Sequence, residues 1–508
     1  MLELKMLSFE LLLMLKFYFY RTNLLTFSMK KLTLSAFALL LFSINTIAQD
    51  SSTIYATMDV ENAELYKSIY PDEIQILDSN DKRSAVLMTE SIANRIRENV
   101  NGHGSGYIFR DSEESARAML NTPARRTTTI DYSITEEAFV RECLDIVDGD
   151  NIEADILELQ AYGTRYHTKP QAQQAVLNQQ AKWDAMIAAS GRTDVHTRIY
   201  EHVNTPMPSV ILTFEGANTP DEFVIIGGHI DSTSWRSDDA PGADDNASGI
   251  ASLNEMVRVL LEKGFVPNRS IEVMAFAAEE IGLVGSSEIA QEYASNGVNV
   301  AGYVQFDMTG YEGSNKDIYL MDDWYTSDSL NGFLVSLMDF YNSSGAHTFT
   351  YGYSQCGYGC SDHASWADNG YDASMPFEAA MGEDNPNIHT PNDKYSFLDT
   401  PDHAVKFTKL GLQFLIEAAK PQTLSVDDYS EAIMFIIVKD KMLTYKMSSE
   451  FSTVKEIEIF NVAGQQITAE KVSHKDGSVN LEGFATGFYI AQFTLETGYK
   501  ISKKFILR

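Results

Sequence analysis

Imidazoles and carboxylates recur in this sequence where short apolar runs end. After Phe223–Ile226 comes Gly227-Gly228-His229-Ile230-Asp231, and about a dozen residues on stands Pro241-Gly-Ala-Asp-Asp-Asn-Ala-Ser-Gly249. Ile271–Ala277 runs into Ala278-Glu279-Glu280, Tyr303–Phe306 runs into Asp307, and Asn387-Ile-His-Thr-Pro391 offers His389 as a second imidazole. Unpaired carboxylates resist burial, so core packing gives no reason for such a collection. Imidazole nitrogen and carboxylate oxygen suit zinc, and the lack of thiolates near these positions argues against a structural zinc knot. Four such ligands plus one bridging carboxylate would fill two metal sites. Two metals roughly 3.5–4 Å apart can share a water, lower its pKa and polarise a carbonyl. Glu279 and Glu280 are adjacent, so on extended backbone their side chains diverge, and one can bind metal while the other acts as general base.

Strands followed by helices must position these groups. Apolar residues recur at three- to four-residue steps in Gln171–Ser190 and Ile250–Lys263, and these helices alternate with the three short apolar runs. The alternation predicts an α/β domain over 131–421 with a mostly parallel sheet flanked by helices. In such sheets the ligand crevice lies beyond the carboxyl ends of the strands, where the His, Asp and Glu residues fall.

The chain has 508 residues, room for about three domains. Its net charge of −32 would repel phosphate backbones, so nucleic acid is excluded as a partner. Three cysteines cannot make a disulfide framework. Residues 1–48 read as a presequence: from Met29, Lys30 and Lys31 precede an apolar run, and Thr46-Ile47-Ala48 suits cleavage. No later stretch is apolar enough for a membrane span, so the mature chain is expected to be exported without a stable one. Residues 49–128 carry no motif and end in Asn121-Thr-Pro-Ala-Arg-Arg-Thr-Thr-Thr129, an exposed linker open to nicking. From 425 to 508 period-two runs (Met434–Val438, Val454–Phe460, Tyr489–Leu495, Lys503–Leu507) predict a small all-β sandwich, with Ala463-Gly464, Asp476-Gly477 and Thr497-Gly498 as turns. Cys143, within the helical stretch Glu136–Ile146, reads as a buried free thiol.

Six stretches in order, GGHIDSTS, APGADDNASGIA, AFAAEEIGLVGS, FDMTGY, CGYGCSDHASW and NIHTPND, resemble the dizinc aminopeptidases of the M28 metallopeptidase clan, close to the secreted bacterial leucyl type. The resemblance spans residues 131–400 and implies the three-layer zinc-peptidase fold. It implies two Zn2+ per chain, with His229 and His389 as imidazole ligands, Asp244 as the bridging carboxylate, and Glu280 and Asp307 as terminal ligands. Glu279 takes the place of the general base and Asp231 that of the carboxylate orienting the ligand imidazole. Cys356 and Cys360 match a disulfide loop, and Tyr358 within it matches the phenol that serves the oxyanion. Met308, Met375, Phe377 and Ile388 match the lining of an apolar S1 pocket, while Met381 and Asp384 depart from the aromatics of that type. The implied activity is removal of a bulky apolar N-terminal residue such as Leu from a peptide or protein. On the same fold, the alternatives are a glutaminyl cyclase, a carboxypeptidase or a non-catalytic binding protein. A calcium-binding adhesin is disfavoured by the histidines.

Related exported peptidases carry an N-terminal propeptide, the role expected for 49–128. The tail is similar to the sorting domains of the type IX secretion system, through VKEIEIFNVAG (454–464), GFY (487–489) and the basic-apolar end Lys503-Lys-Phe-Ile-Leu-Arg508. That resemblance implies the secretion machinery as partner and a destination at the surface of, or outside, a Gram-negative cell.

Overall fold

The computed structural model describes residues 52–99, 103–121, 132–420, 434–439, 441–447, 453–461, 464–496 and 500–507. The signal sequence expected at Met29–Ala48 and nearly all of the Asn121–Thr129 linker lie outside the described residues. The chain divides into two units.

The first unit holds the described residues among 52–121 with the short segments Ile281–Val284 and Tyr358–Cys360. Strands β1 (Thr53–Asp59), β2 (Ile74–Ser79), β3 (Arg83–Thr89) and β4 (Ile108–Arg110) form an antiparallel sheet in the order β2-β3-β1-β4. Helices α1 (Val60–Ile69) and α2 (Glu90–Asn99) follow β1 and β3, and α3 (Glu113–Ala118) follows β4. Ala56, Met58, Val86 and Met88 alternate inward to meet Ile92 and Ile96 of α2. Within this unit the Phe109 amide donates to the Gly282 carbonyl at 2.8 Å, and the Tyr358 hydroxyl donates to the His103 carbonyl.

The second unit is built on a six-stranded sheet in the order β12-β9-β7-β8-β6-β5. Its strands are β5 (Val195–Tyr200), β6 (Ser209–Phe214), β7 (Thr219–His229), β8 (Arg269–Phe276), β9 (Asn299–Gln305) and β12 (Ala373–Ser374). The pairs β7–β8, β7–β9 and β9–β12 are parallel, whereas β6 runs antiparallel to β8 and β5 to β6. The sheet is therefore mixed, parallel only in the half that carries the polar strand ends. The expected helices appear as α6 (Pro170–Ser190) and α7 (Gly249–Glu262), joined by α4 (Glu137–Leu144) and α5 (Gly149–Gln160) before them. Pro170 pre-sets the first turn of α6, and Gly191 ends it in the left-handed region.

Alternation along β7 makes three layers. Ile225 packs with Met274, Phe276 and Tyr303 under α8 (Val284–Ser295) and α10 (His363–Asp368), where Trp366 stacks on Tyr303 at 4.9 Å. Ile226 faces the other way, near the point where Gly411 of α11 (Asp402–Ala419) meets Met256 of α7. A second small sheet, β11-β10-β13 (Tyr351–Ser354, Ile318–Met321, Pro376–Phe377), lies with α9 (Asp328–Tyr341) in the stretch between β9 and α11. Cys143 is a buried free thiol of α4, and burial pushes it up to about 12.

The tail forms two antiparallel sheets. One is β14-β15-β18 (Met434–Lys439, Met442–Met447, Asp476–Asn480) and the other β17-β16-β19-β20 (Gln466–His474, Val454–Asn461, Gly487–Leu495, Lys500–Leu507). Leu443, Tyr445, Ile457, Ile459 and Phe493 share one core, as the period of two requires. Asp476-Gly477, expected as a turn, instead opens β18 opposite Tyr445 and Lys446. A Cβ at Gly477 would stand 2.7 Å from the Tyr445 hydroxyl, so this glycine makes room for a ring rather than a bend. Ala463 and Thr497-Gly498, of the other two turns, fall outside the described residues.

Candidate metal centre

Three parallel strands finish level. His229 at the end of β7 lies opposite Phe276 at the end of β8, and Gly227 lies opposite Gln305 at the end of β9. Two residues on from Gln305 is Asp307, and three on from Phe276 is Glu279, so register alone brings the side chains to one edge. Gly228 permits the close approach: a Cβ there would sit 2.7 Å from the Phe306 carbonyl oxygen.

The groups form two clusters. His229 Nε2 lies 3.1 Å from Asp245 Oδ1 and 3.2 Å from Asp307 Oδ1. His389 Nε2 lies 3.1 Å from Asp245 Oδ2 and 3.1 Å from Glu280 Oε2. The donor atoms of each cluster lie within 4.8 Å of one another, and Asp245 belongs to both. Ligands about 2.0 Å from a tetrahedral zinc stand roughly 3.3 Å apart, close to these separations. His229 Nδ1 lies 3.2 Å from the Asp231 carbonyl oxygen, so a proton held there leaves the Nε2 lone pair facing the cluster.

Electrostatics fit a divalent ion as well. Burial opposes the charge on His229, but Asp307, Asp231 and Asp245 hold its imidazole well above the usual range. Burial likewise opposes charge on His389, which Glu280 and Asp245 bring up to about 10. Burial and then the neighbouring carboxylates push Glu279 well above the ordinary carboxylate range, and Glu280 shifts the same way, by burial and then Asp245. Among the described residues neither Glu279 oxygen accepts a hydrogen bond, although the side chain is fully buried. Such a carboxylate makes sense beside something the chain itself does not supply, and an oxygen- and nitrogen-rich donor set suits zinc.

One expected position must be corrected. The carboxylate between the imidazoles is Asp245, not Asp244. Asp244 turns away: Oδ1 accepts the Gly310 amide and Oδ2 accepts Asn385 Nδ2, both at 3.0 Å. Burial lifts Asp244 to about 6, and burial together with Asp244 raises Glu378, with which it shares a hydrogen bond. The backbone at Asp245 (φ −104°, ψ 92°) is not helical, which sends the two neighbouring side chains to opposite sides. Adjacent aspartates in one motif offered no pattern for choosing between them.

Asp231 is placed as expected beside His229, and it does more. Its Oδ1 accepts the Glu279 amide at 3.1 Å and its Oδ2 the Glu280 amide at 3.3 Å, so one carboxylate sets the backbone of both glutamates. Asp307 Oδ2 accepts the Ser361 hydroxyl. Met308, Met375 and Phe377 are fully buried, Ile388 is partly so, and the Met308 amide donates to Asn246 Oδ1 at 3.1 Å. Cys356 and Cys360 are disulfide-bonded. Sequence reasoning missed Asp393, whose two oxygens accept the Asp244 and Asp245 amides at 3.0 Å each. It also missed Asn246, which donates to the Phe306 carbonyl at 2.9 Å. Both stand inside the quoted motifs, so a signal existed. Arg165 had none.

An α/β sheet whose parallel strand ends deliver His229, Glu280 and Asp307 to loops that carry His389 and the shared Asp245 is the scaffold of a metallopeptidase. Peptidase family M28 matches residues 209–412, and the Secretion system C-terminal sorting domain matches 437–508. Leucine aminopeptidase 1 of Arthroderma gypseum is 31% identical over 326 residues, covering 62% of this chain and 86% of the relative. A probable aminopeptidase of Saccharomyces cerevisiae is 29% identical over 324 residues, covering 61% and 81%. Among solved structures, LapB from Legionella pneumophila superposes with a TM-score of 0.63 at 28% identity, covering 73% of this chain and all of that one. The chain belongs to peptidase family M28 and is a metallo-aminopeptidase with a C-terminal secretion sorting domain.

Proposed function

We propose that the chain is an exported dizinc aminopeptidase that removes bulky apolar N-terminal residues such as Leu. The observation that carries the dizinc reading is Asp245, whose two oxygens each face a different imidazole. His229, Asp307 and Asp245 would hold one zinc, and His389, Glu280 and Asp245 the other. Zinc at these positions supplies a Lewis acid for the scissile carbonyl and a water of lowered pKa. Glu279 takes the proton of the attacking water and later delivers it to the leaving amine, a role that its buried oxygens, hydrogen-bonded to no other group among the described residues, are free to take. Asp231 holds the His229 ring and the Glu279 backbone so that the proton moves between fixed points. Tyr358 steadies the oxyanion as a hydrogen-bond donor. Met308, Met375, Phe377 and Ile388 would form an apolar wall for the first side chain, and the leucine aminopeptidases among the relatives support that preference.

Residues 49–128 act as a propeptide in this reading. Its support is that the Tyr358 hydroxyl, the donor expected for the oxyanion, is given to the His103 carbonyl within the first unit. The signal sequence takes the chain to the periplasm, and the tail passes it to the type IX machinery for release or display outside the cell.

Hydrolysis of a leucyl chromogenic amide tests the reaction, measured as purified, after chelation and after zinc is restored. Activity should vanish with chelation, return with zinc, and fall by roughly 10²–10⁴-fold in Glu279→Gln. A folded protein with two zinc ions and no action on apolar aminoacyl amides would overturn the substrate assignment.

A further inference from the structure

Arg165 lies in the segment between α5 and α6, far in sequence from every metal-centre motif, and its side chain is completely buried. Its guanidinium makes four hydrogen bonds, and among the described residues all end on backbone carbonyls. Nε donates to Ile230 at 2.7 Å, Nη1 to Leu159 at 3.1 Å and Pro241 at 2.7 Å, and Nη2 to Gly242 at 2.9 Å. Ile230 follows His229, and Gly242 stands three residues before Asp245. One planar fork therefore clasps the two loops that bring His229 and Asp245 together.

The rest of the segment reinforces that clasp. The Arg165 amide donates to Ser232 Oγ at 3.0 Å, Ser232 Oγ donates to the Ala240 carbonyl at 2.7 Å, and Thr164 bridges Ala240. Gly242 has φ +53°, and a Cβ there would stand 2.9 Å from Arg165 Nη2 and 2.5 Å from the Asp245 carbonyl oxygen, so the loop is shaped around the guanidinium.

A buried guanidinium without a carboxylate bonded to it is expensive unless negative charge lies near. Asp393, Asp231, Asp245 and Glu280 supply that charge. A direct salt bridge to Asp245 would occupy an oxygen that a metal needs. Carbonyl acceptors instead hold the cation where it offsets carboxylate repulsion and leaves those oxygens available.

We infer that Arg165 is a positioning residue that pre-forms the His229–Asp245 half of the metal centre before zinc arrives. The inference rests on the dizinc reading. It is tested by zinc titration of the metal-stripped full chain against a chromophoric chelator, for wild type, Arg165→Gln and Arg165→Lys, with circular dichroism to follow the fold. Lysine keeps the charge and loses the fork, so it should not rescue. The expected result is a native spectrum for the variants, with zinc affinity weakened roughly 10–100-fold at the His229 site and less at the His389 site, which shares only Asp245 with it. Should Arg165→Gln fail to fold, Arg165→Lys decides. A folded variant that holds both ions with wild-type affinity overturns the inference, as does failure of both variants to fold even with zinc, which marks a purely structural role. A wild type that binds one zinc strikes at the dizinc reading instead, and the affinity of the variants for that ion still tests the clasp.

Discussion

Asp244 and Asp245 are joined by one peptide bond and meet different surroundings. Asp245 faces two imidazoles, whereas Asp244 faces an amide, an asparagine and the Glu378 carboxyl. Asparagine at either position keeps the shape and removes the charge. In the dizinc reading Asp245→Asn would take a ligand from both ions and should leave less than one zinc per chain with activity near background. Asp244→Asn should keep two zinc ions and instead lower stability by about 1–3 kcal/mol, since the Asn385 donor and the Glu378 carboxyl lose a matched partner. Zinc content by emission spectrometry and thermal melts of both variants check the pair. Equal zinc loss in the two would mean that the carboxylates share the ligand role.

Elements bring these residues together, and one helix contributes from behind. His403, near the start of α11 and almost wholly buried, has Nδ1 3.1 Å from the carbonyl oxygen of Thr309, in the loop that carries Asp307. Burial lowers its imidazole to about 4, Lys406 adds to the effect, and Glu312 and Asp317 oppose it. Below the unfolded pKa near 6.5 the unfolded chain takes a proton that the folded chain refuses, so stability falls as pH drops from about 6.5 to about 4. At about 1.4 kcal/mol per unit the loss is on the order of 3 kcal/mol. Denaturant melts of zinc-saturated wild type and His403→Gln should converge across that window, and parallel curves would refute the assignment. Strand ends and amphipathic helices were legible in sequence because His229, Glu279 and Asp307 follow apolar runs, and α7 carries a helical period. The antiparallel β5–β6 edge was not, since strand direction leaves no mark on composition. Arg165 escaped because its partners are carbonyls, which every residue possesses.

At the scale of the whole molecule, maturation and charge come forward. Among the described residues no helix is long and apolar enough to cross a membrane. Trimming near Arg126 should raise leucyl amide hydrolysis if 49–128 is a propeptide, and rates unchanged by limited proteolysis would make that segment a permanent part of the enzyme. The net charge of −32 is not only a surface property, because Asp231, Asp244, Asp245, Glu279, Glu280, Asp307, Glu378 and Asp393 are all buried around one centre. Burial lifts its glutamates, and crowded carboxylates lift its imidazoles, so protons and a metal ion would compete for the same atoms. Metal loading should therefore release protons into an unbuffered solution, and an acid medium should weaken metal binding, both readable by a pH-stat during zinc addition.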